Sequence, residues 1–258
     1  MNKLLIAFKD YFSLPEINID RKVTLIFISA AVLLIFSEYY DSAPEIFALI
    51  RGIFGENTAN KYAQLTLLNN DFELQNLLNW GLNCILVFLV FPALIVKLVL
   101  KENLSDYGFQ LKGIAKHKWI YLLLIAFMLP VVFFISKTPA FLHKYPFYHI
   151  TSKVQFHSFL LWEIIYILQF ISIEFFFRGF LLHGVKHRFG YYSILFAVVP
   201  YCMIHFGKPM PETLGAIIAG CVLGFLSLNT NSILLGILVH VTVALTMDIC
   251  ALWRSGLF

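Results

Sequence analysis

Residues 158–182 read SFLLWEIIYILQFISIEFFFRGFLL. The run is long and apolar enough to cross a bilayer, for which a helix needs about 20 predominantly apolar residues. Yet it carries Glu163, Glu174 and Arg178. An ionisable side chain inside a span costs roughly 2.5–3.5 kcal/mol on insertion scales, so each one present marks a candidate functional position.

Working outward, the same length criterion finds further spans at 23–40, 80–100, 118–136, 191–206, 213–229 and 232–253. The expected fold is therefore an all-α polytopic membrane bundle of about seven transmembrane helices. The segments 191–206 and 213–229 are short, so one of them is expected to be tilted, broken or incompletely spanning. Composition agrees. Hydrophobic residues make up 60% of the 258 positions and charged residues 13%, against about 25% charged in a soluble domain. Mean hydropathy is +0.80. The formal charge of +4 is spread over short connections, which excludes a nucleic-acid binder. Cys84, Cys202, Cys221 and Cys250 all lie in apolar stretches without a C-x-x-C pair and read as small buried hydrophobes.

The first 22 residues do not read as a signal peptide, because Leu4 to Phe8 is too short and Asp10, Glu16 and Asp20 follow it. Span 23–40 is expected to stay as the first anchor. The connection 41–78 holds amphipathic pieces such as Ile46 to Phe54 suited to a membrane surface. Alternate loops carry ten lysines and arginines against seven. The excess puts the N-terminus in the cytoplasm, for a multi-pass protein of the cytoplasmic membrane. Two regions are expected: an anchoring part, 1–117, with two spans and loop 41–78, and a core, 118–253, that holds the polar site.

The ionisable residues concentrate late in the chain: Glu163, Glu174, Arg178, His183, His205, His240 and Asp248. Glu174 and Arg178 are four apart and share a helix face, as an ion pair would. Glu174 lies 16 residues before Gly190 and His205 lies 15 after it. At about 1.5 Å per residue both sit about 23 Å from that turn, so antiparallel neighbours bring them to one level. From Asn231, His240 rises about 14 Å and Asp248 about 26 Å, bracketing that layer. A carboxylate and two imidazoles at one depth suit either a divalent metal or general-base activation of water. Pro200 loosens the helix beside His205. Ala216, Gly220 and Gly224 form a small-residue stripe for close helix packing.

Ile173-Glu174-Phe175-Phe176-Phe177-Arg178-Gly179 resembles the first motif, E-E-x-x-x-R, of the CAAX-protease and bacteriocin-processing (CPBP, or Abi) family of intramembrane proteases. Tyr201 to His205 resembles the second motif, F-x-x-x-H, and His240 the opening of the third, H-x-x-x-N/D. The likeness covers roughly residues 118–253, with Leu104 to Phe109 similar to a loop that often precedes the core. It implies a helical cavity that hydrolyses peptide bonds of membrane-associated or lipidated substrates, by a metallo- or a glutamate-type mechanism. Catalytic roles then fall to Glu174, His205 and His240, with Arg178, Asp248 and Glu212 in support. A divalent metal such as zinc, held by Glu174, His205 and His240, is one cofactor that the resemblance allows.

Two positions depart from the motifs. Ile173 stands where the first Glu is usually given the water-activating role, and Ala244 stands in place of the third-motif Asn. Adjacent helical positions point about 100° apart, so Glu174 does not simply replace its neighbour. Lys208 and Glu212 read as a solvated turn. The alternative to a protease is a non-catalytic scaffold, or an immunity or regulatory protein that keeps the fold and binds membrane proteins or lipidated peptides. A transporter ranks third, since no pair of matching broken helices marks a midplane site.

Overall fold

The computed structural model describes residues 19–66, 71–111, 114–150 and 153–256. Lys3, Lys9 and Lys112, which entered the orientation count, and the segment considered as a signal peptide lie outside the described residues. Among the described residues every regular element is helical. In chain order these are α1 (Arg21–Tyr39), α2 (Ala43–Phe54), α3 (Glu56–Thr66), α4 (Phe72–Val99), α5 (Ile114–Ile135), α6 (Pro139–Lys144), α7 (Phe156–Phe189), α8 (Tyr192–Met203), α9 (Met210–Thr230) and α10 (Leu234–Arg254).

Six of them, α1, α4, α5, α7, α9 and α10, are long and apolar enough to cross a membrane. Bulky apolar side chains such as Leu98, Phe127 and Ile218 point outward from them, as lipid-facing positions require. The fifth expected span, 191–206, is α8, and it has only 12 residues. It rises about 18 Å, well under the about 30 Å hydrocarbon core. Pro200 withholds a backbone donor near its end, and Gly207, at φ 84°, turns the chain back. His205 therefore sits in a turn after α8 and not inside a helix. The sixth expected span, by contrast, is full length as α9.

α4 starts earlier than its apolar run because Asp71 caps it, accepting from the Leu74 amide at 2.9 Å. α7 is the longest element and changes to π-helical turns over Phe175–His183, a device often found at functional positions. The extra residue per turn re-aims the side chains that follow Glu174. α1, α4 and α7 share one core through Ile26, Ala30, Val87, Phe88, Phe175 and Phe176. The small-residue stripe of α9 faces α8. A Cβ on Gly220 would lie 2.9 Å from Val198, and one on Gly224 3.0 Å from Ile194. Glycine lets the two helices approach to this distance.

Hydrogen bonds tie the connections into two opposite ends. At one end Gln110 donates to the Asn231 carbonyl at 2.7 Å, Lys186 reaches the Asn231 side chain at 3.1 Å, and His187 meets Asp20 at 2.7 Å. At the other, Tyr148 donates to Asp71 at 2.5 Å and Tyr145 to Glu212 at 2.9 Å.

The first end also carries an ion pair with a pH signature. The Lys22 ammonium lies 2.7 Å from Glu102, which also accepts from the Tyr107 hydroxyl. Burial alone would raise the Glu102 carboxyl, but the hydrogen bonds from Lys22 and Tyr107 and the charge of Lys22 outweigh it and hold its pKa below the ordinary 4.5. A depressed carboxylate contributes stability that is present above the ordinary value and lost as the pH falls through the folded-state value. Melting in detergent from neutral pH down to about 3 is therefore expected to show an acid limb below the ordinary carboxylate range. That limb shrinks in Glu102→Gln, which has already lost the charge.

Candidate active site

Glu174 closes the α-helical part of α7, one residue before the π-helical turns begin. Its carboxylate is 0% exposed and is held from two sides. Oε1 lies 3.1 Å from the Arg178 guanidinium, the four-residue pair read from the sequence, and 3.0 Å from Nδ1 of His240 on α10. Among the described residues Oε2 has no hydrogen-bond partner, and it is packed against Gly236, where a Cβ would stand 3.1 Å from it. Glycine at this point of α10 is what lets the helix pass over the carboxylate. The Arg178 guanidinium lies over the Tyr201 ring, its carbon 4.0 Å from the centroid. It is aligned for charge and ring attraction more than for a linear hydrogen bond to Glu174.

Tyr201 is the hub. His205, four residues on, packs edge-on to it at 4.7 Å between centroids, and His240 approaches at 6.4 Å. Phe170 covers the other side of the His240 ring at 4.5 Å. Each imidazole has one nitrogen committed. His205 Nδ1 lies 2.7 Å from the Tyr201 carbonyl, which can only accept, so that nitrogen carries the proton. The same holds for His240 Nδ1 against a carboxylate already paired with a guanidinium. In its neutral form each ring is left with an unprotonated Nε2.

A cavity of about 450 Å³ opens beside this cluster, and both histidines line it. Its wall is aromatic, with Trp80, Phe147, Tyr166 and Phe170, and Ile173 faces into it as well. Glu174 does not line it. The carboxylate expected to face the cavity with the histidines lies one layer behind, and it meets the site only through His240. Of the motif departures, Ile173 puts an aliphatic surface into the cavity, whereas Ala244 is buried against Tyr166 and Phe170.

Lys208 and Glu212 are not a free solvated turn. They are half-buried, 2.7 Å apart, and Glu212 also accepts from Tyr145, while Lys208 lines the cavity. The apolar Phe147 ring beneath the Lys208 ammonium, 5.9 Å away, keeps this turn against the bundle. Asp248 is buried away from the cavity. It lies near Glu163 of α7, and among the described residues no donor reaches either carboxyl. Glu163 stands 11 residues before Glu174, three helical turns, and this spacing signals a shared face. His183 belongs elsewhere, between Ser227 and Lys186 at 2.9 Å from each.

The cavity has two carboxylates of its own, Glu38 and Asp41, from the end of α1 and the residues after it. Sequence reading missed them as site residues because they lie in the N-terminal region; two acids closing an apolar run were the available signal. Partial burial, and then the charges of Glu45 and Glu38, raise the Asp41 carboxyl above its ordinary value.

Glu174, His205 and His240 do not form a donor set for a divalent metal. Glu174 Oε1 is taken by a cation and an imidazole N–H, and Oε2 is closed off by Gly236. Among the described residues no three His, Cys, Asp or Glu side chains are grouped to hold a metal ion. The arrangement is instead an imidazole backed by a buried carboxylate, beside a second imidazole, at the wall of an aromatic cavity. Such a pair can take a proton from water and give it back.

Residues 155–246, from the start of α7 to within α10, match the family model described as Type II CAAX prenyl endopeptidase Rce1-like. No curated protein and no solved structure matches the chain.

Proposed function

We propose, from the likeness of residues 155–246 to the Rce1-like family model, that this chain is an intramembrane endopeptidase of the CAAX-protease (CPBP) kind, hydrolysing a peptide bond in membrane-associated or lipidated polypeptides. The observation that carries the reading is that His205 and His240 line one cavity, with His240 fixed from behind by Glu174.

In this mechanism a water held between the two Nε2 atoms loses a proton to His240 as its oxygen adds to the scissile carbonyl carbon. Glu174, 3.0 Å from Nδ1, stabilises the imidazolium that forms. When the C–N bond breaks, the His240 proton passes to the leaving amine, so the histidine ends as it began. His205 accepts the second hydrogen of the water and aims it. Glu174 and Arg178 are positioning residues on this account, and the base expected of Glu174 is His240. Trp80, Phe147 and Phe170 accommodate the apolar stretch that a membrane-anchored substrate carries beside the bond.

The test is cleavage of lipidated and membrane-anchored peptides by purified protein in proteoliposomes. Wild type is expected to release product, and His205→Ala to lose about 10²–10³-fold in kcat, as removal of one aligned polar group does. Equal rates in the two proteins would overturn the role of His205.

A specific observation also favours a second reading, a non-catalytic binding protein with the family fold. Ile173 presents an aliphatic side chain to the cavity where the family motif has a carboxylate. Absence of cleavage by wild type over a broad panel, with retained binding of those peptides, selects it.

A further inference from the structure

α7 gives the cavity wall one stripe of side chains, Tyr166, Gln169, Phe170 and Ile173, at the spacing of a single helix face. Gln169 stands apart within it. It places a primary amide in a membrane span, 2% exposed, where an apolar side chain of the same size would be less costly. The amide nitrogen meets the Cys84 thiol of α4 at 3.3 Å, and sulfur is a weak acceptor. Among the described residues no donor reaches Oε1. Buried side-chain oxygens in folded proteins mostly have a donor, so this one calls for an explanation.

Packing holds the amide at the wall. Gly81, on which a Cβ would collide with Ile165, brings α4 against α7. Cys84, three residues further along α4, meets Gln169 across that contact, and both line the cavity. The group without a partner is an acceptor, so what completes it is a donor. The neighbours of Gln169 along the stripe, Phe170 and Ile173, carry no charge, and a neutral donor suits them better than an ammonium. A backbone N–H of a polypeptide, flanked by apolar side chains, is such a donor.

We propose that Oε1 of Gln169 accepts a backbone N–H from the polypeptide in the cavity and so fixes the register in which that chain passes His205 and His240. The assignment rests on a polypeptide occupying the cavity, as both readings above require; it does not need the chain to be cut. A contact to the backbone selects a position along the chain and leaves the side chain at that position free. In an extended chain successive side chains point to opposite faces, so alternate ones are turned to the aromatic wall.

The test is binding of a fluorescent palmitoylated peptide to full-length protein in nanodiscs, repeated with analogues N-methylated at one residue at a time. Wild type is expected to bind one analogue of the series about 10-fold more weakly, the one that lacks the N–H received by Gln169. Gln169→Leu is expected to bind the unmethylated peptide about 10-fold more weakly, and that same analogue no worse, because methylation then removes nothing further. The variant is expected to melt at or above wild type, since an apolar group of similar volume replaces a poorly paired amide. Equal methylation penalties in the two proteins overturn the assignment. A flat methylation profile in wild type does so too, even if Gln169→Leu fails to fold, as does an absence of binding to wild type. Product is followed in the same samples. A position-specific penalty without product counts against the peptidase reading alone, and cleavage with a flat profile counts against Gln169 alone.

Discussion

Arg178→Ala is expected to lower stability by about 3–5 kcal/mol, the cost of leaving a buried charge without its partner. The loss has two parts. Glu174, 0% exposed, keeps only His240 against its charge. Tyr201 also loses the guanidinium that lies 4.0 Å from its ring centroid, a desolvated cation–π contact worth about 2 kcal/mol. Lysine is not expected to rescue the variant, because its ammonium has neither the flat face that stacks on Tyr201 nor the fork that faces a carboxylate. Removing both charges is a different experiment. Glu174→Leu with Arg178→Met replaces the pair by apolar groups of similar volume, and such replacements are often neutral or stabilising by about 1–4 kcal/mol. Thermal melting in detergent distinguishes the two cases: a clear drop for Arg178→Ala and near recovery for the double variant. A normal melting curve for Arg178→Ala would show that the pair does not hold the bundle.

Much of this arrangement was legible in the sequence, for identifiable reasons. The membrane spans follow from length and apolar content, since lipid demands that backbone groups be satisfied within a helix. The Glu174–Arg178 pair follows from helix geometry alone, and 3.1 Å confirms it. Counting rise per residue from two turns brought Glu174, His205 and His240 to one neighbourhood, and Tyr201 is where they meet. What failed was direction. A depth count has no azimuth, so it could not tell that Ile173 faces the cavity while Glu174 faces Arg178 and Gly236. The π-helical turns beginning at Phe175 compound this, because they change the angle per residue without an obvious sequence mark. Asp248 shows the same limit: its level was near the site, but its side chain turns to Glu163. Glu38 and Asp41 were hidden for another reason. Their place at the cavity depends on how α1 packs on α4 and α7, a long-range contact that no local pattern encodes.

Glu174→Gln is expected to cut kcat by about 10³–10⁴ while changing KM little, because a carboxylate behind a histidine base sets its tautomer and stabilises its protonated form. The amide can still accept from Nδ1, but it offers no charge to the imidazolium that forms when water gives up its proton. Turned the other way, its NH₂ group faces Nδ1 and selects the tautomer whose Nε2 is already protonated and cannot act as a base. A role confined to stability would predict otherwise. The Glu174→Leu, Arg178→Met protein, which is expected to melt near wild type, would then retain activity; on the positioning account it is folded and inactive. Robust cleavage by Glu174→Gln would remove the dyad from the mechanism. Glu38 and Asp41, the carboxylates that line the cavity with His205 and His240, would then be the groups left to activate water, with activity lost on Asp41→Asn or Glu38→Gln.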